Sequence, residues 1–124
     1  MEASDMKEYW GRRTSPIFVL EVGRPIVKDA ASQLGESEKD LTVLSIPRTV
    51  TEVEIPKIAT KAYKMIMELG RGGETVTVIL SGPLALAFEL GQAIGLSHVN
   101  IVLYQFTAGK YFKVPPLTRE DLFR

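Results

Sequence analysis

The chain has 124 residues, 45% of them hydrophobic, and its 15 Lys and Arg balance its 15 Asp and Glu. That length suits one domain with a real core, and a zero net charge argues against a protein held to duplex nucleic acid by phosphate neutralisation. With no cysteine and a single histidine, His98, disulfide scaffolds, thiol chemistry and cysteine or paired-histidine metal sites are excluded. No metal and no cofactor is expected.

No uninterrupted apolar run approaches the roughly 20 residues of a membrane span. The N-terminus is mixed in charge and lacks an apolar signal core. The expectation is a soluble, cytoplasmic protein with no membrane partner. Residues 16–116 are expected to form the domain, between a polar arm at 1–15 and a tail at 117–124.

In the arm, read as a tail or short helical arm, Tyr9 and Trp10 stand out. Trp10 either packs on the domain's own surface or contacts a partner, since Trp is enriched at interfaces. Residues 17–22, Ile-Phe-Val-Leu-Glu-Val, predict a strand. Gly23-Arg24-Pro25 ends it, because glycine frees the turn and proline denies the ladder a donor. Residues 28–34 predict a short helix with Ala30, Ala31 and Leu34 on its inner face. Residues 41–46 predict a second strand, closed by Pro47. Residues 48–55 alternate apolar and acidic positions and read either as an edge strand or as an extended loop. A helix over 57–69 follows Pro56, with Ile58, Ala62, Met65, Ile66 and Leu69 on one stripe.

Residues 75–80 are β-branched and uncharged, which suits an inner strand covered on both faces. Ser81-Gly82-Pro83 turns the chain into a helix over 84–94, with Gly82 supplying unusual φ, Pro83 the first helical position and Gly95 the stop. Residues 99–106 predict a further strand, 107–110 a turn and 111–114 an antiparallel edge. Strands alternating with helices of crossover length predict an α/β fold: a small Rossmann-like sandwich with a mainly parallel sheet and a C-terminal edge hairpin. Right-handed crossovers place the 17–22 strand beside the 75–80 strand. Ligands in such sheets sit at the carboxyl edge where strand order reverses, which brings Gly23-Arg24 and Ser81-Gly82-Pro83 together.

No dinucleotide or P-loop glycine pattern occurs. Ser81 lacks the setting of a nucleophile elbow, and His98 reads as a surface loop residue. Glu21 either reaches the carboxyl edge to meet Arg24 or a ligand, or faces solvent on an edge strand. Arg24 and Arg48 follow strands and are in place to reach a phosphate, although surface arginines alone read as solvated. The 84–94 helix carries two apolar lines: Leu84, Ala87, Phe88 and Gly91, and Leu86, Leu90, Ala93 and Ile94. One covers the sheet. The other needs a cover, either a second copy, with Leu86, Phe88, Leu90 and Ile94 as interface residues, or the arm with Trp10.

Gly82-Pro83, Leu86-Ala87-Phe88, Leu90-Gly91 and Leu103-Tyr104, with the aromatic hairpin at Tyr111, resemble the C-terminal part of SAVED domains over residues 62–114. SAVED domains belong with the CARF domains, Rossmann-like sensors of cyclic oligonucleotides in CRISPR and related antiviral systems. Pro25-Ile26, Ser81-Gly82-Pro83 and Val102 to Tyr104 also resemble small CRISPR-associated ring nucleases.

The resemblance implies a cyclic oligoadenylate ligand at the carboxyl edge. Ser81, Gly82 and Pro83 would line the site, with Gly23 and Arg24 nearby and Tyr104 and Gln105 touching a base or ribose. A SAVED domain fuses two CARF-like halves, and this chain has room for one. The resemblance therefore implies a homodimer or a subunit of a larger complex. The alternatives are a metal-independent ring nuclease, in which positioning of a 2′-hydroxyl drives cleavage with Gly82 N–H and Arg24 stabilising charge, and an interaction subunit without a ligand. No catalytic residue is assigned.

Overall fold

The computed structural model describes residues 5–12 and 15–123. The remaining residues of the expected arm (1–4, 13 and 14) and residue 124 of the tail lie outside the described residues. Six strands form one sheet: β1 (Lys7–Tyr9), β2 (Ile17–Val22), β3 (Thr42–Ile46), β4 (Val76–Ser81), β5 (Ile101–Thr107) and β6 (Lys110–Val114). Their spatial order is β1-β3-β2-β4-β5-β6. The central four run parallel, and β1 and β6 close the two edges antiparallel. The sheet is therefore mixed, with a parallel centre. The 17–22 strand does lie beside the 75–80 strand.

Among the described residues four α-helices connect and follow the strands: α1 (Val27–Leu34), α2 (Ile55–Leu69), α3 (Leu84–Gly95) and the short α4 (Arg119–Phe123). Alternation along each strand divides the core in two. Phe18, Leu20 and Val22 of β2 face α2 and α3, together with Leu44, Val76 and Val78. Ile17 and Val19 face the other way, against Ala30 and Ala31 of α1, with Val43 and Ile79. Each fully buried Leu, Ile or Phe contributes about 1.5–3 kcal/mol of transfer free energy. The expected α2 stripe is seen, with Ile58, Ala62, Met65 and Ile66 buried and Ala59 added to it.

Several expectations need correction. The arm adds β1, whose residues pair with β3 from Lys7↔Ser45 to Tyr9↔Val43. Residues 48–55 form neither strand nor long loop. Thr51 and Glu54 build a capping box over a short 3₁₀ turn that leads into α2, with Pro56 in the first helical turn, where no intrahelical N–H bond is needed. Pro83 is the extended residue before α3, and the helix runs through Gly95 to end at Leu96. Part of the tail forms α4, capped by Thr118 and Asp121.

α3 packs beside α2 on one sheet face, and its two apolar lines separate. Leu86 and Leu90 are each 1% exposed and belong to the domain's own core, and Ile94 packs partly against it. This removes Leu86 and Leu90 from the expected interface. Phe88 and Leu84 are 73% and 88% exposed. The described part of the arm does not cover them, because β1 lies at the opposite end of the sheet. Trp10 is partly exposed, and its Nε1–H donates to Glu8 Oε2 at 2.8 Å.

Candidate functional site

The crossover through α1 leads from β2 to β3. The crossover through α3 leads from β4 away to β5, on the other face of the sheet. Strand order thus reverses between β2 and β4, and their carboxyl ends open a crevice. Glu21 of β2 stands opposite Ser81 of β4. The chain then turns at Gly23 with φ 85°, and the Gly23 N–H donates to Ile46 O at 2.8 Å. Gly82 has ordinary φ, so its role is one of space. A Cβ there would lie 3.2 Å from Val22 Cβ and 3.6 Å from Leu86 Cδ2. The two turns touch because position 82 has no side chain.

A cleft of about 300 Å³ opens beside this contact, lined by Ser81, Gly82, Pro83, Leu84, Tyr104, Gln105 and Phe106 among others. Five of the seven expected ligand residues line it together: Ser81, Gly82, Pro83, Tyr104 and Gln105. Gly23 and Arg24 do not. Arg24 is tied to it indirectly, because its guanidinium lies over the Phe106 ring, 5.2 Å from the centroid. Phe106 in turn meets Tyr111 at 5.2 Å between ring centroids, tilted by 60°. Burial pushes the Tyr111 phenol above its ordinary pKa, with the nearby Arg24 charge opposing. Gln33 of α1 fastens this hairpin from the other side. Its Nε2 donates to Gly109 O at 3.1 Å, and its Oε1 accepts from Tyr111 N at 2.8 Å.

The two helix N-termini at the edge differ. At α1, Glu21 Oε1 accepts from the backbone N–H groups of Ile26 at 2.8 Å and Val27 at 3.2 Å. Its Oε2 accepts from Ser45 Oγ at 2.7 Å. A carboxylate of the chain itself thus occupies the anion-favouring end of that helix. Glu21 does reach the carboxyl edge, where it meets backbone donors and Ser45 rather than Arg24, and the edge-strand expectation is corrected because β2 is a central strand. At α3 no side chain caps the N-terminus and no acidic residue lies in the first turn. The N–H groups of Leu86 and Ala87 bond back to Pro83 O. Those of Leu84 and Ala85 precede the first intrahelical bond, and of these two residues Leu84 lines the cleft.

Arg48 does not join the site. Its Nε lies 2.6 Å from Asp5 Oδ2 and its Nη2 2.6 Å from Glu54 Oε2. Glu54 is 3% exposed and also accepts from Thr51 N. The Arg48 guanidinium, helped by that backbone bond, holds its carboxyl at about 2, far below the ordinary 4.5. This network secures the entry to α2 and the N-terminal arm. His98 is exposed in the loop after α3, as expected.

A second groove, of about 730 Å³, runs along β1, β3 and α1. Its rim mixes Glu8, Glu21 and Glu38 with Arg12 and Lys39, and Tyr9 and Trp10 flank it. Among the described residues no cluster of three or more His, Asp or Glu is placed to hold a metal ion. No helix among them is long and apolar enough to cross a membrane.

Sequence reading missed Phe106 and Gln33. The aromatic alternation of Tyr104 and Phe106 was available as a signal for the first. Nothing local marks the second, whose partners are more than 70 residues away.

Comparison with known proteins extends the resemblance beyond the C-terminal half. A comparison with curated proteins returns no match. Among solved structures, the chain is similar to the Acinetobacter baumannii Cap4 SAVED/CARF-domain containing receptor. With the cyclic trinucleotide 2′3′3′-cAAA, that receptor matches at TM-score 0.66 and 17% identity, over 87% of this chain and 25% of the receptor. With 3′3′3′-cAAA the TM-score is 0.62 at 15% identity, covering 87% and 26% of the two chains. The receptor without a named ligand matches at 0.59 and 14%, covering 87% and 24%. The chain thus spans about a quarter of the length of these receptors, and the likeness shows a shared fold. Residues 8–114 match the model of the SMODS-associated and fused to various effectors sensor domain. With that model taking in every strand except part of β1, the chain belongs to the SAVED family.

Proposed function

We propose that this chain is a CARF-like, Rossmann-like module that binds a cyclic oligonucleotide, cyclic oligoadenylate first among them, in antiviral signalling inside the cell. The ligand would lie across the carboxyl edge of β2, β4 and β5. The observation that carries this reading is the cleft at the open N-terminus of α3. Ser81, Gly82 and Pro83 supply close backbone approach and a hydroxyl there, and Leu84 at the helix N-terminus supplies an N–H donor suited to a phosphate. Arg24 stands one turn away as the cation. Family membership supports the reading, as do receptors of the same fold described with cyclic trinucleotides.

The cleft has room for about one nucleotide of a ring, so the rest of the ligand would be covered by a second module. A second copy, or a partner subunit of a larger sensor, is the assembly we propose. The exposed line of α3 through Leu84 and Phe88 adjoins the cleft and is the surface offered for it.

Titration of the purified protein with cyclic tri-, tetra- and hexa-adenylate by calorimetry tests the proposal, with the nucleotide recovered for chromatography. Binding with the ring recovered whole is the expected result. Linear fragments would reassign the site to cleavage, and no heat with any ring would refute ligand binding. Arg24→Ala and Ser81→Ala should each weaken binding while leaving the far-ultraviolet spectrum unchanged. Equal affinity in both variants would move the ligand away from this cleft.

A further inference from the structure

Phe106 is partly exposed, at 41%, although it stands at the end of a strand whose earlier residues pack on the core. Its ring is held from two sides. Tyr111 meets it at a tilt, and Gln33 pins the hairpin that carries Tyr111 to α1. The Arg24 guanidinium covers the ring from the neighbouring turn. The residue also lines the cleft at the α3 N-terminus. A supported aromatic ring, covered by an exposed arginine beside a seat for phosphate, has the attributes of a base-stacking platform. Every base presents a π-face, and an arginine over a phenyl ring at an exposed site is only weakly held.

Resting on the ligand class proposed above, we infer that Phe106 stacks a purine base of the bound ring and that Arg24 is the cover this base displaces. The base takes the ring face that the guanidinium holds. Arg24 then exchanges a weak cation–π contact for a charge-assisted bond to the adjoining phosphate. Tyr111 and Gln33 are positioning residues: they hold Phe106 and touch no ligand. The arrangement selects for bases with a large π-surface, so purine rings bind more tightly than pyrimidine rings of the same size.

The test uses cyclic tri-adenylate and cyclic tri-uridylate with the wild-type chain and with Phe106→Leu, which keeps apolar bulk and removes the π-face. Stacking measured by side-chain truncation corresponds to a loss of about 5- to 150-fold in affinity per base. We expect a loss of that size for the adenine ring and a smaller one for the uridine ring, with the melting temperature unchanged. A second measurement uses Phe106→Trp in a Trp10→Phe background, so that the introduced indole is the sole tryptophan. Its fluorescence should be quenched on binding the adenine ring. Wild-type binding with neither an affinity loss in Phe106→Leu nor quenching in Phe106→Trp overturns the stacking role and leaves the ligand class standing. No binding by the wild-type chain refutes the ligand class and the stacking role with it.

Discussion

Leu90→Ala is the sharpest test of how α3 divides its two apolar lines. Leu90 is 1% exposed and packs in the core shared by β2, β4 and α2. Removing three carbons forfeits about 2.4 kcal/mol of transfer free energy at about 0.8 kcal/mol each. Each cubic ångström of cavity left open adds about 24 cal/mol, which brings the expected loss to about 3–4 kcal/mol. For a chain of 124 residues, total stability is on the order of 6–15 kcal/mol, so this is a large share of it. The melting temperature should fall by about 10–20 °C. Phe88→Ala, two residues away but 73% exposed, should change stability by less than about 0.5 kcal/mol. Urea denaturation at low micromolar concentration, followed by circular dichroism, measures both. A loss below about 1 kcal/mol in Leu90→Ala, or a larger loss in Phe88→Ala, would show that the two faces have been assigned the wrong way round.

Three further predictions concern contacts that hold the fold together around the sheet. Arg48 and the Thr51 N–H depress the carboxyl of Glu54 to about 2 from 4.5, and Arg48 also lowers that of Asp5. The folded state therefore binds fewer protons than the unfolded chain as pH falls. The stability these groups contribute is complete above about pH 4.5 and is lost progressively toward pH 2. The melting temperature should fall across that window, and Glu54→Gln should flatten the fall; an equal slope in the variant would discount the network. Ala108 holds φ 52° in the β5–β6 turn beside Gly109 at φ 84°, a left-handed pair that costs a non-glycine residue about 1 kcal/mol. Ala108→Gly should raise the melting temperature by a few degrees, and a lowered value would mean that unfolded-chain entropy outweighs the relief. A Cβ at Gly11 would run into the backbone of Asp40 and Leu41, and the Gly11 N–H donates to Thr42 Oγ1 at 2.9 Å. Gly11→Ala should release β1, seen as faster amide exchange at Lys7–Tyr9 with the core unchanged; unaltered exchange there would mean that other contacts hold the strand.

Much of the fold was legible because its signals are local. The β-branched runs of β2, β3 and β4 and the stripe of α2 follow from side-chain periodicity, and Ala108-Gly109 marks its own turn. β1 was not legible. Its three residues are all exposed and show no alternation, and its register rests on pairing with residues more than 30 positions away. Residues 48–55 misled because Val50, Val53 and Ile55 imitate a strand. The capping-box spacing of Thr51 and Glu54 was present in the letters and outweighs the alternation. At the candidate site, the strand–turn–helix pattern located Ser81, Gly82 and Pro83. The partners of Glu21 and Arg24 depended on strand register and on the hairpin fold, which no local pattern encodes. The inward line of α3 could be told from the outward one only once α2 was placed beside it.

The Glu21 carboxylate at the start of α1 makes the two ends of the crevice chemically unequal. A ring of three identical nucleotides has threefold symmetry, and this edge has none. Such a ring could be seated in three indistinguishable ways, a statistical advantage of RT ln 3, about 0.65 kcal/mol. A ring with one odd linkage has three distinguishable seatings and surrenders that advantage once one of them is preferred. For the ring proposed above, a lopsided edge would therefore favour the symmetric linkage by up to that amount, unless one seating of the odd ring gained contacts the symmetric ring lacks.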